Sequence, residues 1–302
     1  MKRLIIFFLF LSCTHLMFAQ THPLTDQLKS IITGKQATVG VAIIFNGSEL
    51  MTINDQYRFP MMSVAKFHQA LKTIDYVTKN DQTLNTEIFV KKSTLRPDTH
   101  SPLRDNYPDG DFMITIGDLL RYTISQSDNI ASDILYKHIG GPKAVNEYIE
   151  KLGVKNVSIE LTEKEMEESD MHQYQNWCKP SSAALLMETF LQNDLFPRPY
   201  KVFLERALIE STTGKDKLKG LLPAKKVMVG HKTGSSGRNE FGIKIADNDM
   251  GFVLLPDGSH YTIAVFIMNS KETDKQNAAI IAEISKAVYD YFIAHSAEIK
   301  GK

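Results

Sequence analysis

Two blocks of strand-forming sequence stand at opposite ends of this chain, and together they constrain the fold more than any other feature. Near the N-terminus, "ATVGVAIIFNGSELMTIN" is two β-rich runs around Asn46-Gly47, a dipeptide suited to a tight hairpin turn. After Gly230 come "HKTGSS" and "DMGFVLLPDGSHYTIAVFIMNS", the latter broken by a Pro-Asp-Gly turn, and then the helical run "NAAIIAEISKAVYDYFIAH". Between them, from about residue 62 to 205, apolar residues recur at helical spacing. "ITIGDLLRYTIS" places Thr115 and Asp118 as a capping box, and "AALLMETFLQ" and "YKVFLERALIE" are further amphipathic runs. Strands at both ends around a helical insert imply one sheet assembled from both ends of the chain. The seam between sheet and insert is where a cleft belongs.

The 302 residues allow one large or two modest folding units. The expected division is a signal peptide over 1–20, an α/β unit from 21–61 and 206–302, and an all-α unit over 62–205. Lys plus Arg equals Asp plus Glu at 35 each, with no basic stripe, which argues against a nucleic-acid partner. "MKRLIIFFLFLSCTHLMFAQ" has two basic residues, a short apolar run and small or polar residues near Ala19. That pattern is a secretory signal rather than a membrane anchor. Phe10 and Leu11 make a poor lipobox for Cys13, so lipid anchoring is not expected. Once the signal is removed, Cys178 is the one cysteine left, and no internal disulfide can form. The nine histidines show no H-x-H-x-D or H-E-x-x-H spacing, so neither a zinc hydrolase nor any cofactor is expected.

Three short motifs fall at the seam. Ser63-Val64-Ala65-Lys66 opens the helical part, Ser127-Asp128-Asn129 lies between two helices within it, and Lys232-Thr233-Gly234 opens the first returning strand. Taken alone, S-x-x-K arises by chance in a chain of this length, and the bland alternative is a capping serine with a solvated lysine. Order and spacing together are more specific. The sequence resembles the serine β-lactamases and penicillin-binding proteins, most closely the class A β-lactamases. The resemblance runs from about residue 24 to the C-terminus. "FPMMSVAKFHQA", "TEKEM", "QYQNW" and "TTGKDKLKGLLP" are similar to the PER/VEB/CfxA branch of extended-spectrum enzymes. It implies an α/β (α+β) fold, an antiparallel sheet flanked by helices plus an all-α domain, with the cleft between them.

Residues three apart on a helix share a face, so Ser63 and Lys66 can touch. The helix N-terminus favours developing negative charge near Ser63, and apolar neighbours lower the cost of a neutral Lys66. Ser63 is thus the expected nucleophile, with Lys66 assisting removal of its proton. Ser127, bridged between Lys66 and Lys232, can relay a proton to the leaving lactam nitrogen; Ser, Asp and Asn are also common helix caps. Asp128 is expected to be structural. By resemblance, Asn129 bonds the substrate's acylamide, and Lys232 attracts its carboxylate together with the Ser235 hydroxyl. The backbone amides of Ser63 and Ser235 form the oxyanion hole. Thr233 and Gly234 let the strand edge approach closely, because a large side chain would block the bound ring.

Release of the acyl group needs a base, and "TEKEM" matches the family's deacylating glutamate at Glu163. Locally, Glu160, Glu163, Glu165, Glu167 and Glu168 also read as a solvated acidic loop. This chain departs from the common loop pattern. Leu161 stands where an arginine is usual, Glu167 where an asparagine is usual, and Asn176 where the arginine's aspartate partner is usual. The salt bridge that closes the loop is therefore absent, and the loop must be held otherwise. A carboxylate at Glu167 would raise the base's pKa unless it is screened. Lys217 replaces the branch's arginine beside the carboxylate site, a point charge instead of a fork. His100 stands at the cleft lip or in a plain loop, and His68 and His231 are expected as packed or strand-edge residues. The implied activity is hydrolysis of small-molecule β-lactams through an acyl-enzyme on Ser63, favouring cephalosporins. The expected protein is a periplasmic monomer with no stable membrane association. Two rivals share the motifs: a cell-wall D-alanyl-D-alanine carboxypeptidase or transpeptidase, and a penicillin-sensing binding domain.

Overall fold

The computed structural model describes residues 23–300; the expected signal peptide and Cys13 lie outside the described residues. The chain starts with helix α1 (Pro23–Ile32), for which no sequence expectation was available, and enters strand β1 (Thr38–Phe45). Asn46 and Gly47 both adopt positive φ, which a tight hairpin turn requires, and the chain returns as β2 (Glu49–Ile53), with Phe45 opposite Glu49. A two-residue strand, β3 (Phe59–Pro60), leads through a 3₁₀ turn at Met62–Val64 into α2 (Ala65–Lys79). The middle of the chain is helical but not wholly so. Short strands β4 (Glu87–Val90) and β5 (Phe112–Thr115) pair with each other, with α3 (Pro102–Asn106) between them. Helices α4 (Ile116–Ser125), α5 (Asn129–Ile139) and α6 (Gly141–Lys151) follow. Thr115 caps α4 by accepting the Asp118 backbone N–H, as its spacing implies. Strand β6 (Val157–Ser158), helix α7 (Glu163–Met166) and strand β7 (Trp177–Cys178) form the next loop; β7 pairs with both β6 and β3.

Helices α8 (Pro180–Gln192) and α9 (Arg198–Ile209) return the chain to the sheet as β8 (Met228–Ser235), β9 (Lys244–Leu254) and β10 (His260–Ser270), and α10 (Asp274–Lys300) closes it. The main sheet is antiparallel, in the order β2-β1-β10-β9-β8. Its central strands come from both ends of the chain, with Thr38 opposite Met268 and Phe45 opposite Tyr261.

Alternation along β1 sends Val41, Ile43 and Phe45 to one face, where they meet Leu24 and Leu28 of α1 and Ile281, Ile284 and Val288 of α10. Ala42 and Ile44 point the other way, into a second core shared with α8, α2 and the helical region. Each buried Ile or Leu contributes roughly 1.5–3 kcal/mol. Close packing on that second face depends on Gly40, since a Cβ there would lie 2.5 Å from the Phe59 ring and 2.8 Å from Pro180. Helix α2 is buried along nearly its whole length. Its Gln69 exchanges hydrogen bonds with Ser132 on α5 (Nε2 to the Ser132 carbonyl, 2.7 Å; Ser132 Oγ to Oε1, 2.9 Å), which locks the two helices that carry the site in register. No helix among the described residues is long and apolar enough to cross a membrane.

Candidate active site

Ser63 sits in the 3₁₀ turn ahead of α2, half-buried and at the seam between sheet and helices. Met62, just before it, has φ 49°, a left-handed conformation unusual for a non-glycine residue. Such strain costs on the order of 1–3 kcal/mol and persists only where neighbours enforce it. Here the buried Asn248 does so, donating from Nδ2 to the carbonyls of Pro60 (2.7 Å) and Met61 (3.3 Å). Strand β8 closes the other side. A Cβ on Gly234 would lie 2.3 Å from the Met61 carbonyl oxygen and 3.0 Å from the Val64 nitrogen. The glycine is therefore required for the strand to pack on the serine turn.

Lys66, fully buried, is the hub. Its Nζ donates to Ser63 Oγ (2.9 Å), the Ser127 carbonyl (2.8 Å) and Asn129 Oδ1 (2.5 Å), and lies 3.4 Å from Glu163 Oε2. Ser127 has φ 58° and does not cap α5. Asp128 is the cap, accepting the Ala131 N–H (2.8 Å) and also the Leu103 N–H (2.6 Å) and the Ser101 hydroxyl, so it ties α3 to α5. The twist at Ser127 sends its carbonyl to Lys66 and its hydroxyl to Lys232, whose Nζ donates to Ser127 Oγ at 2.8 Å. The expectation had both lysines on the hydroxyl; the structure divides them between hydroxyl and carbonyl. Burial, with the Lys66 ammonium nearby, holds Lys232 well below the ordinary lysine range. Beside it, Thr233 Oγ1 and Thr213 Oγ1 share a 2.7 Å hydrogen bond, and Ser235 ends β8 exposed.

Glu163 is buried at the first turn of α7, where Thr162 and Glu165 form a capping box. Its backbone N–H donates to Asp133 Oδ1 (2.9 Å), its Oε2 faces Lys66, and its Oε1 has no protein partner. One amine thus touches both a hydroxyl and a carboxylate, and a second amine touches a second hydroxyl. Such a set can pass protons in either direction.

Residues 23–292 match the model of the β-lactamase enzyme family. A β-lactamase of Bacteroides uniformis is 46% identical over 272 residues, covering 90% of this chain and 92% of its own. The extended-spectrum β-lactamase PER-1 of Pseudomonas aeruginosa is 38% identical over 274 residues, covering 90% and 88% respectively. Among solved structures, a class A β-lactamase from Bacteroides cellulosilyticus superposes with TM-score 0.86 at 50% identity, covering 88% of this chain and 96% of its own. The chain belongs to the class A serine β-lactamases. It is a hydrolase acting on the β-lactam amide, of the branch that includes PER-1 and VEB-1.

Without the usual salt bridge, the β-lactamase holds its Glu163 loop by other means. The buried Asn176 accepts the backbone N–H groups of Glu160 (2.8 Å) and Leu161 (2.9 Å) and donates to the Leu161 carbonyl (2.8 Å). A neutral amide suffices because Leu161 brings no charge to be paired. Arg96 spans the other side, donating to Asp133 Oδ2 and Glu167 Oε2, each at 2.7 Å. Glu167 Oε1 then accepts from Asn129 Nδ2 (3.0 Å) and from the Thr99 hydroxyl. Burial, then the Glu163 carboxylate, push Asp133 up to about 7.

Two expected contributors stand differently in the enzyme. Lys217 is no free point charge: it is 8% exposed and ion-paired with Asp247, which also faces Lys244 at 3.8 Å. His100 is exposed, its ring on the Gln126 carbonyl (2.9 Å), and its own carbonyl accepts the Asn129 N–H. His231 is buried against Asp249 (2.8 Å), and His68 is buried too, its pKa lowered to about 4 by burial. Arg96, Thr99, Asp133 and Thr213 escaped the sequence reading. Only the "TTGKDKLKGLLP" signature pointed near one of them, Thr213.

Proposed function

We propose that this β-lactamase works through an acyl-enzyme on Ser63, with Lys66, Ser127 and Glu163 as its catalytic partners. The observation that supports this best is the position of Lys66 Nζ, 2.9 Å from Ser63 Oγ and 3.4 Å from Glu163. Lys66, once it has released a proton and stands as the neutral amine, takes the Ser63 proton as Oγ attacks the lactam carbonyl. The backbone amides of Ser63 and Ser235 stabilise the oxyanion. As the C–N bond breaks, the nitrogen takes the Ser127 hydroxyl proton, and Lys232, which donates to that hydroxyl, replaces it. Glu163 then removes a proton from water, which attacks the ester and frees Ser63. Asn129 holds the acylamide carbonyl. Lys232, Thr233 and Ser235 hold the ring carboxylate, and Gly234 keeps the strand on the serine turn. His100 forms the cleft lip. Lys217, ion-paired with Asp247, supports the strand that carries this site rather than meeting the carboxylate directly.

The enzyme favours cephalosporins, including extended-spectrum ones; its similarity to PER-1 and VEB-1 supports that reading. It is exported to the periplasm through the signal at 1–20, without lipid on Cys13, and acts there as a monomer. The working division is an α/β unit of 21–61 and 206–302 and a helical unit of 62–205, although α8 packs on the sheet. The test is intact-protein mass spectrometry with a cephalosporin, paired with steady-state turnover. Ser63→Ala abolishes the covalent adduct. Glu163→Gln keeps the first step and accumulates the adduct while turnover falls roughly 10²–10⁴-fold. Glu168→Gln, on the exposed rim of the loop, still turns over. Labelling that survives in Ser63→Ala, or normal turnover in Glu163→Gln, refutes these assignments.

A further inference from the structure

Asn129 Nδ2 lies 2.9 Å from Thr99 Oγ1 and 3.0 Å from Glu167 Oε1, while Oδ1 accepts from Lys66. Thr99 donates its hydroxyl to the same Glu167 oxygen, so the two acceptors lie on one side of Nδ2 and share one N–H. The other N–H is left for a substrate's acylamide carbonyl. A carbonyl held there brings the carbon next to it beside the Glu167 carboxylate.

Charge points the same way. Arg96 is the cation in contact with both Asp133 and Glu167, so a single guanidinium serves two carboxylates. Its guanidinium is divided between them, so Glu167 is not left with a cation of its own. The Glu167 side chain is 36% exposed, which keeps it within reach of a ligand.

We propose that Glu167 is a specificity-determining residue. It favours β-lactams with an ammonium or other hydrogen-bond donor on the carbon next to the acylamide carbonyl, and disfavours those with a carboxylate there. This deepens the proposed function and rests on Asn129 as the acylamide donor. An ammonium there pairs with the Glu167 carboxylate; a carboxylate sets a like charge and a further acceptor beside it. The selection acts during acylation, because the side chain is recognised before the ring opens.

Three penicillins with the same nucleus test it: ampicillin (ammonium), benzylpenicillin (no substituent) and carbenicillin (carboxylate). In the acyl-enzyme scheme kcat/KM reports only the steps up to acylation, so it is blind to Glu163's part in deacylation. The wild-type enzyme prefers ampicillin to carbenicillin, and Glu167→Gln lowers that preference about tenfold, as expected for loss of one close charge interaction. A preference changed by less than about twofold overturns the proposal, since selectivity would then lie elsewhere. Wild-type enzyme acylated as fast by carbenicillin as by ampicillin also overturns it, and that reading needs no variant to fold. Asn129→Ala is measured alongside. A parallel drop in kcat/KM for all three penicillins supports the acylamide assignment. If Asn129→Ala spares all three while Glu167→Gln still shifts the preference, that assignment fails and the charge selection by Glu167 stands.

Discussion

Replacing Asp133 with Ala removes two contacts that bear on Glu163, the proposed general base: the acceptor for the Glu163 backbone N–H at 2.9 Å and the partner of Arg96 at 2.7 Å. Hydrogen bonds to charged groups contribute about 1.5–3 kcal/mol each, but the Asp133 carboxylate is costly to ionise where it sits. Its folded pKa is raised from 3.8 to about 7 by burial and by Glu163. The folded protein therefore binds this proton more tightly than the unfolded chain. The resulting stability is fully present below the unfolded value near pH 4 and is lost as pH rises through about 7. A shift of this size corresponds to about 4 kcal/mol as an upper figure, and water reaching a site that is not fully sealed reduces it to roughly 2–4 kcal/mol. Asp133→Ala loses this pH dependence. At pH 5, about two units below the folded value, it should be destabilised by roughly 1.5–3 kcal/mol, with much of the deficit gone by pH 8. The assay is urea unfolding of both proteins at several pH values; groups that titrate alike in both cancel in the difference. The same variant should lose more kcat than kcat/KM if Glu163 deacylates as proposed, because its tether is gone while Ser63 and Lys66 keep theirs. A wild-type-to-variant gap that is constant, or that widens, from pH 5 to 8 refutes the reasoning.

Gly234→Ala should lower stability by about 1–3 kcal/mol and slow acylation, since the new Cβ displaces the Met61–Val64 turn; unfolding and a nitrocefin assay read both. Normal acylation would show that the turn relaxes freely. Lys217→Met should cost about 1–3 kcal/mol, because Asp247 loses its close partner and keeps Lys244 at 3.8 Å, a larger effect than Lys217→Arg, which keeps the pair. Equal melting temperatures for the two variants would contradict the buried ion pair. Asn176→Asp should destabilise the loop, because a buried carboxylate would face the Leu161 carbonyl with no arginine at 161 to pair it; limited proteolysis between 160 and 176 is the readout. Burial raises the Cys178 pKa, so the native protein should resist thiol reagents until it unfolds.

What the sequence determined by itself is local. Asn46-Gly47 tolerates positive φ and so makes the hairpin, Thr115 caps α4, and a three-residue spacing on one turn brings Lys66 to Ser63. The sheet drawn from both ends followed from hydrophobic alternation, which needs no knowledge of partners. Two-residue strands such as β3, β6 and β7 carry no periodicity, so they could not be read. The motif signatures brought Ser63, Lys66, Ser127, Asn129, Glu163 and Lys232 into view, but which atom meets which did not follow. Only the tertiary structure decided that Ser127 offers its carbonyl to one lysine and its hydroxyl to the other, and that Lys217 is held by Asp247. It alone revealed that Gly234 is dictated by the Met61 carbonyl, and that Asn176 replaces a salt bridge. Arg96, the Asn129 and Asp133 pair on α5, and Glu167 lie tens of residues apart from one another and come from a loop, one helix and the end of another. Their pairing depends on how those elements register when packed, and a charge in a sequence carries no mark of the partner it will meet.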